Sequence, residues 1–383
     1  MGLESQELPE DGLCQSEGSF RLNLMMSNDL KPRRRVPLGR LFSWLTTAAI
    51  VGGGLFLVVA PTPYLVEQPG PVYNLLSEIN GEPMISISEQ KTYPVSGDLD
   101  MLTVTMRGNS TKGASWLEVG LAQLDSALTV VKITDIYPEG WDDKRLSDEA
   151  DMMMLDSQAN AKAAALTLLD IPYTAEIKVT MVEKKGPAGG ILKAADTLVS
   201  IQGEKATGLT QVQKLVAETK GERPVELEVI RDGKQLSLSV LPKLIENKWR
   251  MGIYVQTVPT FPFPIDVKVG NVGGPSAGQV LALAIYDKLT PGELTGGKRI
   301  AGTGTITPDG QIGPIGGVKQ KMYGAQRAGV DWFLAPSENC DQVIGNIPDG
   351  LTVIKVSTIQ DSLKAVKAIA SNKGIDQLQS CTK

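Results

Sequence analysis

The sequence predicts an α+β multidomain protein: an N-terminal transmembrane helix, then a β-rich domain, then a mixed α+β domain. Three observations carry that prediction. Residues 41–60, LFSWLTTAAIVGGGLFLVVA, hold no charge and match the ~20 positions a helix needs to cross hydrocarbon. Residues 176–241 break into short alternating segments separated by glycine-bearing turns, the pattern of strands. Residues 267–336 alternate glycine-rich stretches with apolar, helix-compatible runs. A length of 383 residues suits two or three domains of the usual ~100–150 residues.

In chain order, residues 1–40 are expected to be a disordered cytoplasmic arm, polar and without periodicity. The arm ends in a basic flank of Lys31, Arg33, Arg34, Arg35 and Arg40. Positive charge stays on the cytoplasmic side. The helix at 41–60 is therefore expected to be a single-pass anchor in the cell membrane, with everything after Pro61 outside. The apolar run exceeds the ~7–15 residues of a signal-peptide core, and Pro61-Thr62-Pro63 presents a rigid chain where cleavage would fall.

Residues 61–175 read as an extracytoplasmic strand and helical region. Residues 61–71 are proline-rich and suit an extended chain. Residues 100–107, DMLTVTMR, alternate as a strand does. Residues 147–169 are Ala-, Met- and Leu-rich, with Asp148 and Glu149 near the start, where a helix dipole favours anions. The run Met152-Met153-Met154 is expected to pack in a core.

Composition narrows the chemistry. A net charge of −5 and 5% aromatic residues argue against a nucleic-acid binder, which needs a basic face or stacking platforms. There is no histidine, so Ser-His-Asp and Cys-His arrangements are excluded, as are imidazole zinc sites. Cys14, Cys340 and Cys381 form no metal or redox spacing. They are expected to be idle thiols, with Cys340 and Cys381 the one pair placed to meet. No cofactor and no metal is expected.

In the segment at 176–245, IKVTMV reads as a strand and GPAGGILKAADTLVSIQG as turn, short helix and strand. LTQVQKLVAETKG reads as a helix closed by Gly221, and VELEVIRDGKQLSLSVLP as a hairpin turning at Arg231-Asp232-Gly233-Lys234. This order resembles a PDZ domain, carried by Gly186-Pro187-Ala188, Leu192, Asp196 and Ile201-Gln202-Gly203. The resemblance implies capture of a peptide C-terminus as an added strand. Two departures weaken that implication. IPYTAEIKV lacks the glycine-bearing carboxylate loop expected before the first strand, and Ala195 stands where the family has glycine.

The last segment, 250–383, carries the chemistry. Ser276 lies in GGPSAG just before QVLALAIYDKL. A serine at a helix start among small residues leaves room for a substrate backbone, with N–H groups near a developing oxyanion. The ordinary role there is an N-cap. Without histidine, the base available to a serine is a neutral lysine, and burial lowers a lysine's pKa toward neutrality.

Three ordered blocks, Gly274-Pro275-Ser276-Ala277-Gly278, Gly302-Thr303-Gly304 and Pro314 through Lys321, resemble the proteolytic domain of the Lon family. The resemblance implies an α+β fold and serine endopeptidase activity. It assigns Ser276 as nucleophile, Lys321 rather than Lys319 as base, and Thr303 in support. Gly274 and Ala277 are expected at the oxyanion and substrate. It also implies protein or peptide substrates and a homo-oligomeric ring.

Gly292-Glu293-Leu294-Thr295-Gly296-Gly297-Lys298-Arg299 nearly spells a phosphate loop, but Arg299 replaces the Ser or Thr that meets magnesium. The expected activity is therefore ATP-independent cleavage of accessible or unfolded extracytoplasmic chains. The competing reading is a silent module that tethers partners at the membrane; self-processing is a third.

Overall fold

The computed structural model describes residues 38–79, 81–206, 208–245 and 247–381. Of the expected arm at 1–40, residues 1–37, with Cys14, Lys31 and Arg33 to Arg35, lie outside them, and residues 38–40 belong to the helix that follows. Helix α1 (Leu38–Val59) has 22 residues, about 33 Å at 1.5 Å per residue. Among the described residues it is the one helix long and apolar enough to cross a membrane. The chain divides into two units at Gly54 and Leu55, within α1.

The body begins with β1 (Tyr64–Asn74) and β2 (Asp98–Arg107). Helix α2 (Trp116–Ala122), β3 (Thr129–Lys132) and the long helix α3 (Asp143–Leu168) follow. The α3 start differs from the expected 147: Asp142 caps it by accepting a hydrogen bond from the Arg145 N–H at 2.8 Å. Of the methionine run, only Met154 is buried, while Met152 and Met153 are exposed. On a helix, consecutive positions cannot all face one core.

Next come β4 (Thr174–Val182), β5 (Thr197–Ile201), α4 (Leu209–Glu218), β6 (Val225–Arg231), β7 (Lys234–Val240) and β8 (Ile253–Thr260). They form an antiparallel sheet in the order β7-β6-β5-β4-β8 around a core that includes Ile177, Val179, Leu198, Val216 and Leu227. The β6–β7 hairpin turns through Asp232 and Gly233, with φ of 51° and 74°, as its two-residue turn requires. Ala195 has φ 71°, a left-handed conformation that explains why glycine is expected there. Asp196 beside it is fully buried and accepts from Arg231 Nε at 2.7 Å.

After this insertion come α5 (Gly278–Leu289), β9 (Arg299–Gly302), α6 (Val318–Arg327), β10 (Trp332–Pro336), α7 (Cys340–Val343), β11 (Thr352–Val356) and α8 (Ile359–Ser371). The second sheet runs β11-β10-β9-β2-β1-β3. Four of its strands are parallel from β11 to β2; β1 runs antiparallel to β2, and β3 antiparallel to β1. Side chains alternate between its faces with the period of two that strands impose. Met101, Ile300, Leu334 and Ile354 pack in the core with α3, α5 and α8, whereas Leu102, Ala301, Phe333 and Val353 pack with α6 and α7.

This topology revises the expected domain boundaries. Residues 61–175 supply half of the second sheet and the helix α3 beneath it, so they share one core with the segment expected to stand alone at 250–383. The β-rich domain is inserted between them and extends to Thr260, because β8 pairs along the whole of β4. Cys340 and Cys381, expected as idle thiols, form a disulfide with Cα atoms 5.1 Å apart. Folding brings β11 and the tail together, where Lys355 N–H donates to Gln379 O at 2.8 Å.

Candidate active site

Ser276 sits two residues before α5, and the helix is capped by Ala277 with no side-chain cap bond. The N-cap role open to Ser276 from sequence is therefore not the one its hydroxyl takes. Its Oγ lies 2.5 Å from Lys321 Nζ, across 45 residues of sequence. Lys321 is on the first turn of α6, which packs against β1 and β2. The start of α6 needs Gly317. Its φ is 69°, and a Cβ there would stand 2.7 Å from Val104 Cγ2.

The lysine is 3% exposed. Burial disfavours its ammonium and brings its pKa down to about 7. Lys319, two positions earlier and so about 200° round the helix, is only half-buried.

Thr303, just past β9 and 1% exposed, completes the arrangement. Its hydroxyl donates to the Ser276 carbonyl at 3.0 Å, and that carbonyl also accepts from Gly304 N–H at 2.8 Å. With its proton committed there, Thr303 Oγ1 can only accept from Lys321 Nζ, at 3.1 Å. A neutral amine whose N–H points at Thr303 turns its lone pair toward Ser276. That geometry can take a proton from the serine hydroxyl.

Of the two expected oxyanion residues, Gly274 donates its N–H to Ala150 O at 2.7 Å. It is thereby taken out of the donor set and serves the turn instead, with φ 89°. Ala277 and Ser276 donate their backbone N–H groups to no partner among the described residues. Both stand beside the Ser276 hydroxyl.

A cleft of about 390 Å³ opens at Ser276, lined by Pro275, Thr305, Pro314, Gly316, Glu338 and Gln342. Sequence reasoning missed the residues that brace it. Ser157 on α3 donates to Pro275 O at 2.9 Å. Asn339 holds the loop opposite by a reciprocal pair with Ile315, both bonds at 2.9 Å. Neither residue lies in a recognisable motif.

Residues 228–368 match the family model of the Lon protease (S16) C-terminal proteolytic domain. The C-terminal part of this chain is a Lon-type proteolytic domain. Residues 146–241 match the PDZ domain model, so the inserted unit is a PDZ domain. Among relatives, the chain is 34% identical over 148 residues to a Lon protease of Clostridium beijerinckii, covering 37% of this chain and 18% of that protein. It is 30% identical over 201 residues to a Lon protease of Rickettsia typhi, covering 51% and 25%. The chain thus spans a quarter or less of these two relatives' length. The PDZ domain of the SdrC-like protein of Listeria innocua is similar at 22% identity, covering 21% of this chain and 92% of that one, with a TM-score of 0.20.

The Lon-type match leaves out β1, β2 and β3, which nevertheless complete that domain's sheet. The PDZ match stops short of β8, the sheet's edge strand, which lies next to α4. Met251-Gly252, with φ 72° at Gly252, leads into β8.

Proposed function

We propose that this chain is an ATP-independent serine endopeptidase, anchored in the membrane by α1, that cleaves accessible or unfolded extracytoplasmic proteins with Ser276 and Lys321. The observation that carries the reading is the buried Lys321 amine 2.5 Å from the Ser276 hydroxyl. Lys321 takes the hydroxyl proton as Ser276 Oγ attacks the peptide carbonyl. The oxyanion is held by the N–H groups of Ser276 and Ala277. Lys321 passes the proton to the leaving amine, and the acyl-enzyme is hydrolysed by a water that Lys321 deprotonates.

The extracytoplasmic placement is supported by the Cys340–Cys381 disulfide, since disulfides persist in oxidising compartments. The basic residues before α1 support it too. ATP independence is supported by the 290–298 loop, which leads from α5 into β9 rather than from a strand into a helix. Arg299 there pairs with Asp98. Peptide capture on the β8 edge of the PDZ domain and assembly of copies into a ring belong to the same reading.

The test is hydrolysis of casein and of fluorogenic peptides by the full chain in micelles. Ser276→Ala and Lys321→Ala are each expected to lower kcat by about 10³-fold or more, and Thr303→Val by roughly 10-fold or more. Lys319→Ala should stay near wild type. A wild type as inert as both variants would instead favour a tethering module, and loss of activity in Lys319→Ala alone would move the base to Lys319.

A further inference from the structure

Helix α2 is apolar on two opposite faces. Val119 and Ala122 are buried and pack with Val66 and Ala114 in a small core. On the other side Trp116, Leu117, Leu121 and Leu124 are exposed by 47, 42, 55 and 84%. At 100° per residue Trp116, Leu117 and Leu121 fall within one arc on the side away from Val119 and Ala122, and Leu124 follows in the turn just past the helix. Contiguous large apolar side chains of this kind mark a surface that meets something other than water.

The chain path identifies what it meets. Only Ala60 and Pro61 separate the end of α1 at Val59 from Thr62. The Thr62 N–H and Oγ1 both donate to Ala114 O, at 2.9 and 2.7 Å, and Ala114 N–H donates to Tyr64 O at 2.8 Å. Pro61 bridges to Ser115, the residue that caps α2. Ser115 and Glu118 close a capping box, which fixes how α2 leaves this junction. Gly113 permits the approach, since a Cβ there would collide with Thr62 O. Three residues of chain reach at most about 10–11 Å, so Thr62 is held within that distance of the end of α1 and Ala114 about 5 Å further at most. The headgroup layer beyond the hydrocarbon is of order 5–7 Å thick on each side.

We propose that the outer face of α2 lies in the lipid headgroup layer of the membrane that α1 crosses. Trp116 sits at the polar boundary, and Leu117, Leu121 and Leu124 enter the acyl margin as an interfacial helix does. The body then has a second attachment, and α2 fixes its rotation relative to the bilayer instead of leaving it to swing on Ala60 and Pro61. This inference rests on the membrane-anchor reading of α1.

The test uses the full chain with Cys14→Ser and its disulfide intact, reconstituted in phosphatidylcholine vesicles containing some phosphatidylglycerol. Single cysteines at Leu121, Leu124, Leu57 and Ile230 carry nitroxide labels, and collision with oxygen is compared with collision with a polar nickel chelate. All four side chains are exposed, so the labels disturb no packing. The oxygen-to-nickel ratio at Leu121 and Leu124 is expected to exceed that at Ile230, on the PDZ domain, by at least about threefold and to approach that at Leu57. Water-like ratios at Leu121 and Leu124 with a lipid-like ratio at Leu57 would overturn the docking and leave the anchor standing. A water-like ratio at Leu57 would overturn both. Spin–spin broadening at Leu121 that disappears on dilution with unlabelled chain would assign the face to a second copy and overturn the proposal.

Discussion

Burial acts on Lys321 in two directions, one on activity and one on stability. With a pKa of about 7, the amine is neutral only above neutrality, so kcat/KM for a peptide is expected to rise with pH through about 7 and then level. A pH–rate profile of the full chain checks this. For stability, an unfolded lysine titrates near ~10.4, so between about 7 and that value the unfolded chain binds more protons than the folded one. The penalty is absent above the unfolded value, grows as pH falls, and is complete below about 7. Lys321→Met is therefore expected to be more stable than wild type by roughly 2–4 kcal/mol at pH 6, with the gap nearly closed at pH 10. Denaturant unfolding at both pH values, in a Ser276→Ala background that prevents self-cleavage, measures the difference. Thr303 was legible as a partner only through its motif. Its directional role comes from the Ser276 carbonyl that takes its proton, a contact no sequence spacing announces.

At the scale of elements, α3 holds the loop just before Ser276 at two adjacent residues, through Ala150 O on Gly274 and Ser157 Oγ on Pro275 O. Ser157→Ala releases one of these two contacts. It is expected to lower kcat by roughly 5–50-fold, with KM within about threefold, because misplacing a nucleophile costs rate more than binding. Steady-state kinetics on a short peptide, with a thermal melt to show an unchanged fold, decides the matter. Ser276 and Lys321 were readable as candidates because their motifs are local. Ser157 was not, because it lies 118 residues before Pro275 on a helix whose alanines announce only close packing. The disulfide was legible only as the one pair placed to meet: the fold, not the spacing, sets 340 beside 381.

For the whole molecule, the PDZ domain enters and leaves at one point. Thr174 pairs with Thr260, and the Tyr173 and Phe261 rings lie 5.7 Å apart. Replacing residues 175–259 by a short glycine linker is therefore expected to leave short-peptide hydrolysis within about threefold while lowering cleavage of protein substrates more. Parallel assays on a peptide and on casein check it, and an equal loss on both would show that the PDZ domain serves the site rather than the substrate.

Linear reading found each domain but placed their boundaries in series, because strand pairing across an insertion leaves no local pattern. That pairing also sets a schedule. Strand β9 docks on β2, and Arg299 reaches Asp98 across 201 residues. At ~5–20 residues per second of synthesis, that span takes roughly 10–40 s. The PDZ domain is complete before β9 exists, and Lys321 is made later still. A chain elongated past Ser276 but not yet to Lys321 holds the proposed nucleophile without its proposed base, so the nascent protein passes its neighbours and its own unfolded segments unarmed.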